Sequence, residues 1–137
     1  MYIFDGAMGT MLQAAGLEEG YCPELFNVEK PEVVKNIHAQ YLQHGSDVIT
    51  TNTFGACGLK LEDYDLQDRV REINIAAVKV AKDAIAEFKP SARVAGSMGP
   101  TGRFLQPLGN MSFDSIYDTY REQAEALIEG GVDFIII

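Results

Sequence analysis

The sequence has 137 residues, 47% of them hydrophobic, and its 20 acidic and 11 basic residues give a formal net charge of −9. This length and composition are typical of one globular domain and exclude a disordered chain. The acidic charge argues against a nucleic-acid partner, because binding to phosphates needs clustered Lys and Arg. No apolar run is long enough to span a bilayer and no signal peptide is evident, so we expect no membrane partner and a cytoplasmic location.

The first third of the chain predicts a strand and two helices. Residues 2–4 are a β-branched and aromatic run that predicts the first strand, and a short helix ending near Gly16 follows it. Residues 17–30 show no sustained periodicity, so we expect a loop there. A helix with Pro at its first position and Gly at its end is predicted over residues 31–45.

The rest of the chain continues the alternation of strands and helices. The remaining predicted elements are a strand at 48–51, a helix at 66–88, a strand at 93–96, a helix that begins after Ser112 as N-cap and ends at Gly130, and a strand at 132–137. The order β-α-β-α-β-α-β predicts an α/β fold with a parallel sheet and right-handed crossovers.

A weak internal repeat refines this fold class. The pattern Gly-x-Asp-apolar-Ile occurs at residues 45–49 and again at 131–135, each time where a helix gives way to a strand. Repeated βα units favour a (β/α)₈ barrel over a doubly wound sheet. About four units would form the first half of such a barrel.

The end of the sequence is apolar. The residues from Phe134 to Ile137 contain no polar stop, and natural chains seldom end within an apolar strand, whose backbone groups need partners. We therefore expect residues 1–137 to be the first half of a barrel that a longer chain completes. Open sheet edges would favour self-association of such a half-barrel.

The segments that follow three predicted strands are polar and rich in glycine. They are residues 5–10, 51–55 and 97–102, and in parallel α/β folds such segments meet at one end of the sheet and form the site. Asp5 supplies the only formal charge close to a strand end. This combination of one carboxylate with backbone N–H groups and hydroxyls suits a small zwitterion as ligand.

Each of these segments has a binding interpretation and a structural alternative. Asp5 could pair with an ammonium group while the N–H groups of Gly6 and Ala7 bind a carboxylate, or Asp5 could simply cap the following helix. The other candidates are Thr51, Asn52 and Thr53, whose polar groups could bind a ligand or satisfy neighbouring backbone, and Gly99 and Pro100, which could form a close-approach loop or an ordinary turn.

The cysteines and histidines indicate no metal site in this chain. Cys22 and Cys57 are far apart and in no Cys-x-x-Cys pair, so we interpret both as small buried side chains. His38 and His44 lie on the predicted helix 31–45, away from the strand exits, and are expected to be packing or surface residues.

Taken together, several motifs resemble the homocysteine S-methyltransferase family. They are Asp-Gly-Ala-Met-Gly-Thr-Met-Leu at 5–12, Pro-Glu-Leu-Phe-Asn at 23–27, Gly-Ser-Asp-Val-Ile-Thr-Thr-Asn-Thr-Phe-Gly-Ala at 45–56, and Gly-Pro-Thr-Gly at 99–102. The resemblance covers nearly the whole chain, and residues 99–109 are most similar to the cobalamin-dependent branch.

The resemblance implies a (β/α)₈ barrel that transfers a methyl group from methylcobalamin to homocysteine and forms methionine. Family members activate the substrate thiol with zinc held by three cysteines. Those cysteines lie in Gly-x-Asn-Cys and Gly-Gly-Cys-Cys motifs, which this chain lacks, so no catalytic or metal-binding residue is expected in it. Cobalamin- and folate-binding domains are the implied partners.

The resemblance also assigns roles to residues of this chain. Asp5 and Gly6 match residues that hold the amino-acid end of homocysteine, and Thr51, Asn52 and Thr53 match a segment that lines the same pocket. The alternative from the residues alone is a complete, non-catalytic α/β domain, such as a four-stranded flavodoxin-like sheet that binds a small ligand or a partner.

Overall fold

A parallel sheet organises the molecule, which is described here by a computed structural model of residues 1–137. Its strands are β1 (Val48–Thr50), β2 (Arg93–Ser97) and β3 (Phe134–Ile136), and they lie side by side in the order β1-β2-β3. Ile49 pairs with Val94, and Gly96 pairs with Ile135. The three strands and the parallel arrangement predicted from the sequence are confirmed.

The predicted strand at residues 2–4 is wrong in its extent, because it forms only one parallel bridge, between Phe4 and Val48. The Asp5 amide donates to the Val48 carbonyl at 3.0 Å, but the next amide along β1, that of Thr50, donates to the Asp5 carboxylate at 2.8 Å. The Asp5 side chain thus takes the N–H that a longer ladder would use, and the pairing ends there.

Six helices accompany the sheet: α1 (Gly9–Ala14), α2 (Phe26–Glu29), α3 (Pro31–Gln43), α4 (Gly58–Leu61), α5 (Val70–Phe88) and α6 (Phe113–Gly130). The ends of α6 follow the sequence closely. The Ser112 hydroxyl accepts a hydrogen bond from the Ser115 amide at 3.1 Å, and Gly131 ends the helix with a positive φ of 87°. No helix combines the length and the apolar character that a membrane crossing requires.

Two other boundaries differ from the sequence-based expectation. Residues 23–29, expected to be loop, form a 3₁₀ turn (Pro23–Leu25) followed by α2. Phe26 is buried there against Leu12 and Val34, so tertiary packing makes this turn helical although its periodicity is weak. The helix expected from residue 66 begins at Val70, after a separate 3₁₀ turn at Gln67–Arg69.

The long helices cover one face of the sheet. Helix α5 packs between α3 and α6. Ile49 and Val94 point towards these helices and pack with Leu42, Ala81 and Ala84. Residues that alternate with them face the other way, where the rings of Phe4 and Phe134 meet edge-on at 6.1 Å and remain partly exposed.

Candidate functional site

A polar cleft of about 380 Å³ lies at the carboxyl ends of β1 and β2. Four of the eight predicted site residues line it, namely Gly6, Thr51, Asn52 and Thr53. The other lining residues are Met8, Gly9, Pro23, Glu24, Thr50, Phe54 and Ser97. The cleft therefore joins the predicted first and second strand exits, together with the last residue of β2.

Asp5 does not line the cleft, but it is bound to Thr50, which does. Its carboxylate accepts the Thr50 amide at 2.8 Å and the Thr50 hydroxyl at 2.6 Å. Burial raises the pKa of Asp5 above its usual value of 3.8, and the two bonds from Thr50 offset part of that rise. The alternative that Asp5 caps α1 is wrong, because the N-cap position belongs to Met8 and has no side-chain cap.

The turn after Asp5 is supported by a tyrosine that the sequence did not single out. The Tyr41 hydroxyl, on α3, donates to the Ala7 carbonyl at 2.8 Å. A Cβ on Gly6 would lie 3.0 Å from the same hydroxyl, so glycine allows this close approach. Gly6 lines the cleft and Ala7 does not, and both precede α1, which begins at Gly9.

The hydroxyls of Thr51 and Thr53 are bonded to each other and to β2. The Thr53 hydroxyl donates to the Ser97 carbonyl at 2.7 Å, so the Thr51 hydroxyl must donate in the 2.6 Å contact between the two threonines. The Ser97 amide in turn donates to the Thr51 hydroxyl at 3.0 Å. These hydroxyls form a fixed wall of the cleft, as the structural alternative for this segment supposed.

Glu24 is the only ionisable residue that lines the cleft, and it is not among the predicted site residues. It is 7% exposed, and its carboxylate accepts the Gly55 amide at 2.7 Å and the Cys22 thiol at 3.4 Å. The sequence signal for this residue is the Pro-Glu-Leu-Phe-Asn motif at 23–27, which contains it. Beside Glu24, the side-chain amide of Asn52 donates to the Pro23 carbonyl at 2.8 Å, which fixes the Asn52 side chain.

The remaining two predicted residues lie beside the cleft. The buried Gly99 donates its amide to the Phe54 carbonyl at 3.0 Å, and a Cβ at this position would lie only 2.5 Å from that oxygen. Pro100 instead lines a separate, more open cavity of about 520 Å³ with residues 101–108, Ile116 and Tyr120. The third strand exit thus supports the cleft through Gly99.

The residues of this chain do not fit a zinc site. No group of three or more His, Cys, Asp or Glu side chains could hold a metal ion. Cys22 and Cys57 are buried and unpaired, and burial raises the pKa of Cys22 to about 12 and also raises that of Cys57. His38 is fully buried, which lowers its pKa to about 4, and His44 is exposed. The interpretation of the cysteines and histidines as packing or surface residues is confirmed.

The sequence of this chain is similar to known methyltransferases. The homocysteine S-methyltransferase family model matches residues 2–137. Methionine synthase from Mycobacterium tuberculosis (strain ATCC 25618 / H37Rv) is 40% identical, and methionine synthase from Mycobacterium leprae (strain TN) is 36% identical, each over 97% of this chain. The chain spans 12% of the length of either relative.

The fold is similar to that of a solved enzyme. The oxidized and metallated forms of the homocysteine methyltransferase MmuM from Escherichia coli superpose with a TM-score of 0.80 and 26% identity. Each match covers 98% of this chain and about half of that enzyme, 51% and 52% respectively. Because the family model matches almost every residue and the fold agrees, the chain belongs to the homocysteine S-methyltransferase family.

Proposed function

We propose that residues 1–137 are the first half of a (β/α)₈ barrel that binds homocysteine and transfers a methyl group to its sulfur, forming methionine. The observation that carries this proposal is the polar cleft at the strand ends of a chain that matches about half of a solved homocysteine methyltransferase. A complete non-catalytic module has no comparable support.

The longer protein supplies what this chain lacks. The methyl donor is methylcobalamin. The cobalamin- and folate-binding domains belong to the remaining part of a cytoplasmic methionine synthase. The similarity to two methionine synthases of far greater length supports this assignment. Zinc, if it activates the substrate thiol, is held by residues outside residues 1–137, because the cysteines here are buried and isolated.

The residues of this chain bind and orient the amino-acid end of homocysteine. Asp5 orients the ammonium group through Thr50, which its carboxylate fixes and which lines the cleft, and the Gly6 amide binds the substrate carboxylate in the turn that Ala7 continues. The fixed segment Thr51-Asn52-Thr53 forms the wall against which the substrate lies. Gly99 supports this wall through its bond to the Phe54 carbonyl, and Pro100 follows it at the edge of the neighbouring cavity.

A pair of aspartates at opposite ends of β1 provides the sharpest test of this assignment. Asp5 binds the Thr50 amide at the cleft end, and Asp47 accepts the Ile3 amide at 3.1 Å at the other end. In the intact protein, Asp5→Asn should raise the KM for homocysteine by about tenfold or more, as expected for a lost charged hydrogen bond. Asp47→Asn should leave that KM unchanged. Equal effects of the two substitutions would contradict the assignment.

The half-barrel assignment is tested on residues 1–137 alone. This fragment should contain no stoichiometric zinc and should not catalyse methyl transfer from methylcobalamin to homocysteine. The intact protein should contain zinc and catalyse this transfer. Stoichiometric zinc together with turnover in the isolated fragment would overturn the assignment.

A further inference from the structure

The segment 52–56, whose residues Asn52, Thr53 and Phe54 line the cleft, is held by four buried side chains from elsewhere in the chain. Its carbonyl oxygens accept amide N–H groups, and one of its own amides donates to a carboxylate. The bonds are Asn27 to the Asn52 carbonyl at 2.7 Å, Gln123 to the Thr53 carbonyl at 2.8 Å, Asn74 to the Ala56 carbonyl at 2.9 Å, and the Gly55 amide to Glu24 at 2.7 Å.

Two of these amides also bind each other. The Gln123 side chain, on α6, donates to the Asn74 side-chain oxygen on α5 at 3.3 Å, and Asn74 donates to the Val70 carbonyl at 2.7 Å. A backbone carbonyl can only accept, so the NH₂ groups must face segment 52–56 and the orientation of both amides is determined. Asn74 and Gln123 are fully buried, and Asn27 is 2% exposed.

These amides are an unfavourable choice for packing alone. The side-chain oxygens of Asn27 and Gln123 are buried without a hydrogen-bond partner. A buried polar atom without a partner costs free energy, and an apolar side chain of similar shape would avoid that cost. The favourable bonds of all three amides, in contrast, converge on one short segment, of which residues 52–54 line the cleft.

We propose that Asn27, Asn74 and Gln123 are positioning residues that set the geometry of the homocysteine-binding wall. They connect α2, α5 and α6 to segment 52–56, so the outer helices determine where Asn52 and Thr53 lie. Displacement of a binding wall by a fraction of an ångström weakens substrate binding even when the fold persists. The inference rests on the proposed function for the identity of the substrate, but the geometry of the three amides is independent of it.

The test uses the intact protein and replaces two of the three donors, each with an apolar side chain of similar size. Gln123→Met and Asn27→Leu remove N–H donors from different elements, so one variant remains informative if the other does not fold. His38→Leu is the matched control, since His38 is equally buried and polar but makes no hydrogen bond to this segment. Hydrogen exchange of residues 52–56 and the steady-state kinetics of homocysteine methylation are measured for each variant.

We expect faster exchange at residues 52–56 in Gln123→Met and Asn27→Leu, and a KM for homocysteine raised by about tenfold with a much smaller change in kcat. His38→Leu should change neither quantity. Unchanged exchange in both variants, or faster exchange with an unchanged KM, would overturn the proposal. If the parent protein does not methylate homocysteine, the proposed function and this positioning role fail together. A parent that is active while both variants keep its KM contradicts the positioning role alone.

Discussion

Two glycine-containing segments at the same end of the sheet are built in opposite ways. Segment 51–56 follows β1 and buries Thr51, Asn52, Thr53 and Ala56, whereas its Phe54 side chain is 63% accessible. Loop 103–111 follows β2 and exposes large apolar side chains, with Phe104 71% and Leu108 90% accessible. Two strand exits at the same end of the sheet therefore form one fixed wall and one open surface.

The partners of the backbone explain the difference. Segment 51–56 is bonded to residues distant in sequence, such as Gln123 and Ser97. Loop 103–111 is bonded largely to itself, through the Gln106 amide and the Met111 carbonyl at 3.0 Å and through the Met111 amide and the Phe104 carbonyl at 3.2 Å. A strand exit becomes a fixed site wall where other elements supply hydrogen-bond partners for its backbone.

The largest effect is expected at Gly99, where the two strand exits meet. A Cβ there would lie 2.5 Å from the Phe54 carbonyl oxygen, so Gly99→Ala should destabilise the protein by about 1–3 kcal/mol in urea unfolding. Gly9→Ala is the control, because nothing lies within 4 Å of its added Cβ and α1 should gain up to about 1 kcal/mol. Equal stability of the two variants would contradict the tight packing of the wall.

A smaller loss is expected when the hydroxyl chain of the wall is broken. Thr53→Val removes the donor to the Ser97 carbonyl and the acceptor of the Thr51 hydroxyl, and should cost about 1–2 kcal/mol in the free energy of unfolding. The control is Thr119→Val on α6, whose side chain makes no hydrogen bond to the wall. A loss in the control as large as in Thr53→Val would show that the hydroxyl chain has no particular role.

The pH dependence of stability should have opposite signs at two carboxylates, that of Asp5 beside segment 51–56 and that of Asp63, which pairs with Arg103 of loop 103–111. Burial raises the pKa of Asp5, so the folded state holds its proton more tightly, and its contribution to stability declines as the pH rises from 3.8 through the raised pKa. The bond from Arg103 lowers the pKa of Asp63. The contribution of Asp63 to stability is therefore present above pH 3.8 and is lost as the pH falls below it.

Asparagine variants measure these two contributions separately. Relative to the parent, Asp5→Asn should gain stability as the pH rises above 3.8, whereas Asp63→Asn should lose a small amount of stability as the pH rises towards 3.8 from below. Urea unfolding at a series of pH values measures both differences. The same sign in both variants would contradict the contrast between a buried and an exposed carboxylate.

The smallest effect is expected in the open loop. Phe104→Ser and Leu108→Ser should each change the free energy of unfolding by less than about 0.5 kcal/mol, because these side chains are already exposed. Thermal or urea unfolding is sufficient to measure this. A loss above about 1 kcal/mol would mean that another part of the intact protein covers the loop.

The sequence predicted the elements whose signals are local. Ser112 and Pro31 mark helix starts, and the apolar runs after Asp47 and Asp133 mark β1 and β3. The helical turn at 23–29 could not be predicted, because the packing of Phe26 produces it. The length of the first strand was overestimated because the Asp5 carboxylate accepts the Thr50 amide. The periodicity of the sequence does not indicate this hydrogen bond.

Four of the eight predicted site residues line one cleft, but the hydrogen bonds within the site were not predicted. The positions of Gly6 and Thr51 after predicted strands indicate that they share one cleft. No feature of the local sequence indicates that the hydroxyls of Thr51 and Thr53 bind each other. Asn74 and Gln123 occur within long helices, where an amide ordinarily faces solvent, so only the packing of α5 against α6 reveals their bonds to the wall. Contacts between distant residues determine these details.

The central claim is that homocysteine binds against the fixed wall and not at the open loop. Hydrogen exchange of the intact protein, measured with and without homocysteine, tests it directly. We predict that homocysteine slows exchange at residues 5–9 and 50–54 and leaves residues 103–111 unchanged. Unchanged exchange at residues 5–9 and 50–54 under saturating homocysteine, or protection confined to 103–111, would contradict the account.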